Sequence, residues 1–184
     1  MSELNKYRRA ISQIFRDVEA RQCLETGFLI SEQGHVLTCW HVVVEKGKLP
    51  TRVFVRFADQ GHIRTARILI NNADKKLDYV VLAAEGPTQQ PIPFGPGDAV
   101  ETFFAFGYRK NEPADGEGTT GDIVALTTLN CLATPRFQLE SDGIGKGMSG
   151  APLWSDKAQC GIGMISDRYV PEDSVDVGLV PCPN

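Results

Sequence analysis

The sequence predicts an all-β protein built from two packed antiparallel barrels, preceded by one amphipathic helix. From Thr26 onward, short apolar or alternating runs are separated by Gly, Pro, Asn and Asp, which is typical of strands joined by turns. A stretch rich in proline and glycine, residues 89–97, divides these runs into two halves. A chain of 184 residues is long enough to bury a sizeable core within one domain.

The N-terminal segment has a different periodicity. Apolar residues recur there at helical spacing, with charged residues between them, namely Leu4, Tyr7, Ile11, Ile14, Phe15 and Val18. This pattern predicts an amphipathic helix over residues 3–22. We expect residues 1–23 to form a helical segment that packs on the barrels.

The body of the chain contains a regular series of predicted strands. Residues 52–57 alternate and are followed by the turn signal Asp59-Gln60-Gly61. Further strands are expected at residues 63–70, 78–83, 99–107, 121–128, 136–140, 151–154, 160–166 and 175–180. We expect one domain over residues 24–184, with a first barrel over about 24–88 and a second over about 97–184.

Composition and charge exclude several classes of partner. The net charge of −4, with mixed signs, provides no basic surface for nucleic acid. The sequence has no apolar run long enough to span a bilayer, and its first residues lack the apolar core of a signal peptide. We therefore expect neither a nucleic-acid nor a membrane partner, and a cytoplasmic location.

The five cysteines indicate neither a disulfide framework nor a metal site. Their number is odd, and no pair has Cys-x-x-Cys spacing. Most are therefore interpreted as small buried apolar residues, and no metal or organic cofactor is expected. Cys39 lies near His41, but two residues along the chain from a general base is the wrong geometry for a nucleophile.

A glycine-flanked serine is the strongest chemical signal in the chain. Ser149 lies in Gly147-Met148-Ser149-Gly150, directly before an apolar strand. A serine that attacks a carbonyl needs backbone N–H groups nearby to stabilise the oxyanion, and glycines let the main chain present them. Ser149 is therefore the candidate nucleophile, and the amides of Gly147 and Ser149 are the candidate oxyanion hole.

Two further residues complete a candidate catalytic set. His41 follows an apolar strand and is the candidate general base. Asp78 begins another strand and is the candidate carboxylate that orients the imidazole. Asp74 is its rival but lies in a turn-like sequence, and His35 and His62 are interpreted as solvated.

The order of these residues separates the known scaffolds. Chymotrypsin-like barrels have the order His, Asp, Ser, as His41, Asp78 and Ser149 do here. Subtilisin-like enzymes have Asp, His, Ser, and α/β-hydrolases have Ser, Asp, His. The sequence therefore favours a double barrel.

Four sequence blocks together resemble the signature segments of the trypsin-like serine peptidase superfamily. They are Thr26-Gly27-Phe28, Leu37-Thr38-Cys39-Trp40-His41-Val42-Val43, Asp78-Tyr79-Val80-Val81-Leu82 and Gly147-Met148-Ser149-Gly150-Ala151-Pro152-Leu153. The closer resemblance is to the HtrA-type bacterial branch, because Val42 follows His41 where secreted digestive enzymes carry Cys. The resemblance implies two six-stranded barrels and a serine endopeptidase that cleaves proteins or peptides.

The resemblance also implies the walls of a substrate pocket. Gly143 and Ile144 would form one wall. Ser166, Asp167 and Arg168 would form the other, with Ser166 in contact with the carboxylate of the catalytic set. Charges near the pocket have both signs, so the preferred substrate residue stays open.

Two alternatives concern whether the site is active. The loop of residues 141–147 holds three glycines before the nucleophile, so its peptides could change orientation and gate the oxyanion hole. Modules resembling this one occur within longer bacterial proteins, so a fused or associated regulatory domain is expected. The other function class is a catalytically degenerate fold that serves as a binding or scaffold module, and esterase activity is a further option.

Overall fold

The computed structural model describes residues 3–20, 22–58, 60–86, 89–98, 100–108, 116–127, 136–169 and 176–180. Within these residues, two short helices, α1 (Glu3–Arg9) and α2 (Trp40–Val43), accompany twelve strands. The strands of the first half are β1 (Ile11–Phe15), β2 (Cys23–Leu29), β3 (His35–Thr38), β4 (Arg52–Phe57), β5 (Arg64–Asp74) and β6 (Tyr79–Ala84). Those of the second half are β7 (Glu101–Gly107), β8 (Glu117–Thr127), β9 (Arg136–Glu140), β10 (Pro152–Ser155), β11 (Cys160–Tyr169) and β12 (Asp176–Val180).

Each half of the chain closes into a six-stranded antiparallel barrel. The first has the strand order β1-β2-β3-β6-β5-β4, and pairing of β1 with β4 closes it. The second has the order β10-β11-β12-β9-β8-β7, and pairing of β10 with β7 closes it. Closure removes the exposed strand edges that an open sheet would present. The predicted all-β double barrel is confirmed.

The predicted helix over residues 3–22 is wrong beyond its first turns. Helix α1 ends at Arg9, and Ile11–Phe15 forms strand β1, which pairs with both β2 and β4. All five residues of β1 are buried, including the polar Ser12 and Gln13. Val18, assigned to the apolar face of the helix, is 57% exposed. The segment expected to pack on the barrels from outside therefore contributes a strand to the first one.

The hydrophobic core continues across the junction of the barrels. The larger buried cluster combines residues of the first barrel with Phe106, Trp154 and Met164 of the second. Tyr7 of α1 joins it, and its hydroxyl donates to the carbonyl of Pro152 at 2.7 Å and accepts from the amide of Phe106 at 3.2 Å. Burial raises the pKa of the Tyr7 hydroxyl far above its ordinary value, so this hydroxyl stays neutral. Helix α1 is thus fastened to the second barrel.

No helix within the described residues has the length and apolar character needed to cross a membrane.

Candidate active site

The candidate base is positioned by a strand-to-helix transition. Strand β3 ends at Thr38, and α2 begins two residues later. Asp78 caps this helix, because its carbonyl accepts from the amide of Trp40 at 3.2 Å and its Oδ1 accepts from the amide of His41 at 3.1 Å. These bonds satisfy amides that the first turn of a helix leaves without a partner. The backbone around His41 is therefore fixed by both the carbonyl and the carboxylate of Asp78, the residue predicted to orient its ring.

His41 and Asp78 are in direct contact through their side chains. His41 Nδ1 lies 2.7 Å from Asp78 Oδ2, and an ionised carboxylate only accepts, so Nδ1 carries the proton and donates it. The other ring nitrogen, Nε2, is then unprotonated in the neutral ring and available as a base. Asp78 itself has φ 59°, a left-handed conformation that Asp tolerates better than most residues.

The nucleophile turn lies in the second barrel, between β9 and β10. Its two flanking glycines have positive φ, 102° at Gly147 and 86° at Gly150. At Gly150 no side chain fits, because an added Cβ would lie 1.9 Å from the carbonyl oxygen of Thr26. The amide of Gly150 donates to the carbonyl of Ile165 at 2.7 Å, which ties the turn to β11. Ser149 is partly exposed within this turn.

Thr26 of β2 holds the nucleophile turn from the other barrel. Its amide donates to the carbonyl of Ser149 at 3.1 Å, and its hydroxyl donates to the carbonyl of Gly147 at 3.1 Å. The same hydroxyl accepts from the amide of Tyr108 at 2.8 Å, and the Thr26 carbonyl accepts from the Thr38 hydroxyl at 2.7 Å. Each polar group of this buried residue is therefore bonded, and two of them hold the turn.

The two amides assigned to the oxyanion hole have no acceptor within the described part of the chain. The neighbouring amides do have acceptors. The amide of Met148 donates to the carbonyl of Gly145 at 3.2 Å, and the amide of Ala151 donates to the carbonyl of Met148 at 2.8 Å. The amides of Gly147 and Ser149 take part in none of these backbone bonds. Two donors in one tight turn can thus serve an external acceptor.

Cys39 lies close to the imidazole, in an environment that disfavours the reactive thiolate. It is fully buried, and its thiol donates to the carbonyl of Ile165 at 3.3 Å. Burial, followed by the nearby carboxylates of Asp78 and Glu25, raises the pKa of this thiol well above its ordinary value. Cys39, His41 and Asp78 offer possible metal-ligand atoms within 4.8 Å of one another. Because a metal needs the thiolate, which this environment disfavours, we assign no metal to the set.

Glu25 is a residue of the site that its sequence context does not reveal. Its Oε2 lies 3.9 Å from His41 Nε2, on the side of the ring opposite Asp78. A single acidic residue within a strand carries no motif, so only the packing of β2 against α2 reveals it. The imidazole is thus flanked by a carboxylate at each nitrogen.

The residues expected to line the substrate pocket all belong to the second half of the chain. Gly143 is held near β8, where its amide donates to the Ser141 hydroxyl at 3.3 Å and a Cβ would meet Thr119 Oγ1. Ile144 is 7% exposed and packs in the core of the second barrel, and Ser166 is fully buried. Asp167 and Arg168 belong to β11, and their side chains lie outside the described residues. The substrate pocket stays a prediction.

The residues that the sequence analysis does not assign to the catalytic set have ordinary structural roles. Asp74 Oδ1 accepts from the amides of Lys76 and Leu77, which closes a turn. His35 Nδ1 lies 2.8 Å from the Ser31 hydroxyl. Cys23 and Cys160 are buried with free thiols, as Cys39 is, whereas Cys131 and Cys182 lie outside the described residues.

The chain has two antiparallel barrels, with a paired His and Asp at the edge of one and a glycine-flanked Ser in the other. This is the architecture of a chymotrypsin-like peptidase. The model of the family described as "Trypsin-like peptidase domain" matches residues 25–164. The chain therefore belongs to the trypsin-like peptidase domain family and is a serine protease of that family. No curated protein has a sequence that matches this one.

Solved structures share the fold over nearly the whole chain. The inactive form of the Rv3671c protease, from Mycobacterium tuberculosis, is 19% identical, with 97% of this chain and 86% of that chain covered and a TM-score of 0.75. The HtrA-type protease AlgW with a decapeptide is 19% identical over 98% of this chain and 64% of that one, with a TM-score of 0.75. The serine endoprotease from Yersinia pestis is 21% identical over 98% and 62%, with a TM-score of 0.74. These likenesses show a shared fold, and the closer resemblance to the HtrA-type branch stays a prediction.

Proposed function

We propose that the chain is an endopeptidase that cleaves proteins or peptides through Ser149, His41 and Asp78, without a metal or organic cofactor. The observation that carries this proposal is the hydrogen bond between His41 Nδ1 and Asp78 Oδ2, which leaves Nε2 as the base. The contact between Thr26 and the carbonyl of Ser149 supports a nucleophile close to that base, since β2 also brings Glu25 to Nε2. A decapeptide bound to the similar AlgW supports a peptide substrate.

The proposed reaction is an acyl transfer in two halves. His41 Nε2 takes the proton of the Ser149 hydroxyl as its oxygen attacks the substrate carbonyl, and then gives it to the departing amine nitrogen. Water attacks the acyl-enzyme by the reverse route and frees the serine. Asp78 stabilises the imidazolium in both halves. The amides of Gly147 and Ser149, free of described acceptors, would bind the oxyanion, a contribution of about 10²–10³ in rate per donor.

A serine-reactive fluorophosphonate probe tests the nucleophile directly. We expect the probe to label the native protein once, and Ser149→Ala to abolish labelling without changing the circular dichroism spectrum. Ser141→Ala is the matched control, because Ser141 is a serine of the preceding loop whose hydroxyl is bonded to the Thr120 carbonyl. Labelling that survives in Ser149→Ala contradicts the assignment. A protein that is never labelled, with or without candidate activators, supports the scaffold alternative.

Thr26→Val is expected to lower kcat about 10²-fold while KM changes little, because the variant keeps the shape of the side chain but leaves the Gly147 carbonyl unfastened. Thr26→Ser should restore most of the rate. Steady-state kinetics on a cleaved peptide measure both constants.

Thr38→Val is the control for this prediction. It removes another buried hydroxyl, one that donates to the Thr26 carbonyl and makes no bond to Gly147. We expect a loss of stability of about 1 kcal/mol, less than that of Thr26→Val because the Thr38 hydroxyl makes one bond and the Thr26 hydroxyl two, together with a much smaller loss of kcat. Equal kcat values for the two valine variants would show that the hydroxyl of Thr26 does not position the turn.

Gating of the site by a regulatory partner remains part of this proposal. The support is the way the loop of residues 141–147 is held in place. The amide of Gly143 donates to the Ser141 hydroxyl, and that hydroxyl donates to a carbonyl of β8. Ile144 is buried in the core. Gly145 and Lys146 lie between this anchor and the Gly147 carbonyl that Thr26 holds. Because the Gly145 carbonyl is itself held by the amide of Met148 at 3.2 Å, a change of conformation would act on the peptides around Lys146, next to the oxyanion donors.

A further inference from the structure

Glu25 places a carboxylate where the proposed catalysis does not require one. It lies on β2 between the buried Leu24 and Thr26, and its own side chain is 19% exposed. Its Oε2 is buried and has no hydrogen-bond partner within the described residues, while lying 3.9 Å from His41 Nε2. A buried acceptor without a donor costs free energy, so the carboxylate is held here against that cost, while part of the side chain stays exposed to a substrate.

The charge around His41 is negative on both sides of the ring. Asp78 contacts Nδ1 at 2.7 Å and Glu25 faces Nε2, and neither carboxylate forms an ion pair with a Lys or Arg in the part of the chain that the structure describes. When the imidazole is neutral, two carboxylates face it from opposite sides. Such a site attracts a cation and repels an anion.

The position of Glu25 determines which part of a substrate meets this charge. In the proposed reaction, Nε2 gives its proton to the amide nitrogen of the departing peptide, which must then lie within about 3 Å of it. That nitrogen belongs to the residue directly after the scissile bond. Since Oε2 of Glu25 is 3.9 Å from the same ring nitrogen, the side chain of that substrate residue begins within reach of the carboxylate.

We propose that Glu25 is a specificity-determining residue that selects substrates with Lys or Arg directly after the scissile bond. The long cationic side chain forms an ion pair with the charge of Glu25, whose side chain is partly exposed. A substrate with Asp or Glu at this position is rejected by like charge. The inference rests on the proposed function, because it takes His41 Nε2 as the proton donor to the leaving group.

The test uses three internally quenched peptides that differ only at the residue after the cleaved bond. Mass-spectrometric mapping of casein fragments first supplies a cleaved sequence, which is then made with Lys, Gln or Glu at that position. We expect kcat/KM for the Lys peptide to exceed that for the Gln peptide about tenfold, which corresponds to about 1.4 kcal/mol, with the Glu peptide lowest. In Glu25→Gln the ratio of Lys to Gln should fall to about one, whereas Glu32→Gln, at an exposed turn, should keep it.

Three outcomes separate the possible failures. Equal kcat/KM for the Lys and Gln peptides in the native protein overturns this inference and leaves the proposed function intact. A Glu25→Gln variant that cleaves all three peptides faster by the same factor also overturns it, because Glu25 would then restrain His41 and not select substrates. Cleavage that persists in Ser149→Ala overturns the proposed function itself. A thermal unfolding curve of Glu25→Gln establishes that the variant is folded.

Discussion

Asp78→Asn is expected to lower kcat about 10⁴-fold and leave the fold unchanged. The amide oxygen of the variant can still accept from the amide of His41, but its NH₂ group faces Nδ1 where the carboxylate Oδ2 accepted at 2.7 Å. Nδ1 must then become the acceptor, so the proton moves to Nε2 and the ring no longer takes the proton of Ser149. Asn is also well suited to the left-handed backbone at φ 59°, so no strain is added.

Asp74→Asn is the matched control for this prediction. Its carboxylate lies four residues earlier in the sequence, and Oδ1 accepts two turn amides, an arrangement that an Asn oxygen reproduces. We expect its kcat to stay within about twofold of the native value. Peptide hydrolysis with both variants, together with their unfolding temperatures, checks the assignment. Similar kcat values for the two variants would remove Asp78 from the mechanism.

Gly150→Ala is expected to unfold the nucleophile turn or displace it. Its φ of 86° disfavours any side chain, and the added Cβ would lie 1.9 Å from the carbonyl oxygen of Thr26 and 2.7 Å from the Thr38 hydroxyl. We expect a loss of about 3 kcal/mol or more in the free energy of unfolding, from backbone strain and overpacking together. Because the turn carries Ser149, fluorophosphonate labelling should be lost as well.

Gly47→Ala separates the two causes in this prediction. Gly47 has nearly the same φ, 80°, but an added Cβ meets nothing within 4 Å. This control should lose only the conformational contribution, about 1 kcal/mol, and keep full labelling. Chemical denaturation measures both losses. If Gly150→Ala and Gly47→Ala unfold at the same denaturant concentration, the close approach of the two barrels at the turn is refuted.

The strands and the paired His41 and Asp78 could be predicted because their signals are local. Most strands alternate or form short apolar runs between turn residues, and the observed β5 to β12 fall on the expected segments. His41 and Asp78 each adjoin such a strand, so the barrel brings them together at 2.7 Å. In these parts of the chain, the local pattern and the tertiary structure agree.

Strand β1 shows why a local pattern can mislead. Ile11, Ile14 and Phe15 have helical spacing, but β1 pairs with β2 on one side and β4 on the other, and all of its side chains are buried. With no exposed face, the alternation of a strand disappears and an accidental helical period remains. The hydrogen bonds that close the barrel decide the structure, and they join residues far apart in sequence.

Glu25 and Thr26 could not be found as site residues for a related reason. Their roles are defined by contacts with His41 and Gly147, which lie 16 and 121 residues further along the chain. Neither a single acidic residue nor a threonine on a strand carries chemical meaning by itself. Only after the barrels pack does β2 reach both parts of the site.

Thr26 of the first barrel hydrogen-bonds the turn of Ser149 in the second. The turnover rate therefore depends on how closely the two barrels pack against each other. The proposed base lies in the first barrel and the proposed nucleophile in the second, so neither barrel alone contains all the reacting side chains. An antibody fragment or small molecule that wedges the halves slightly apart at a remote edge would slow hydrolysis while leaving every reacting side chain uncovered.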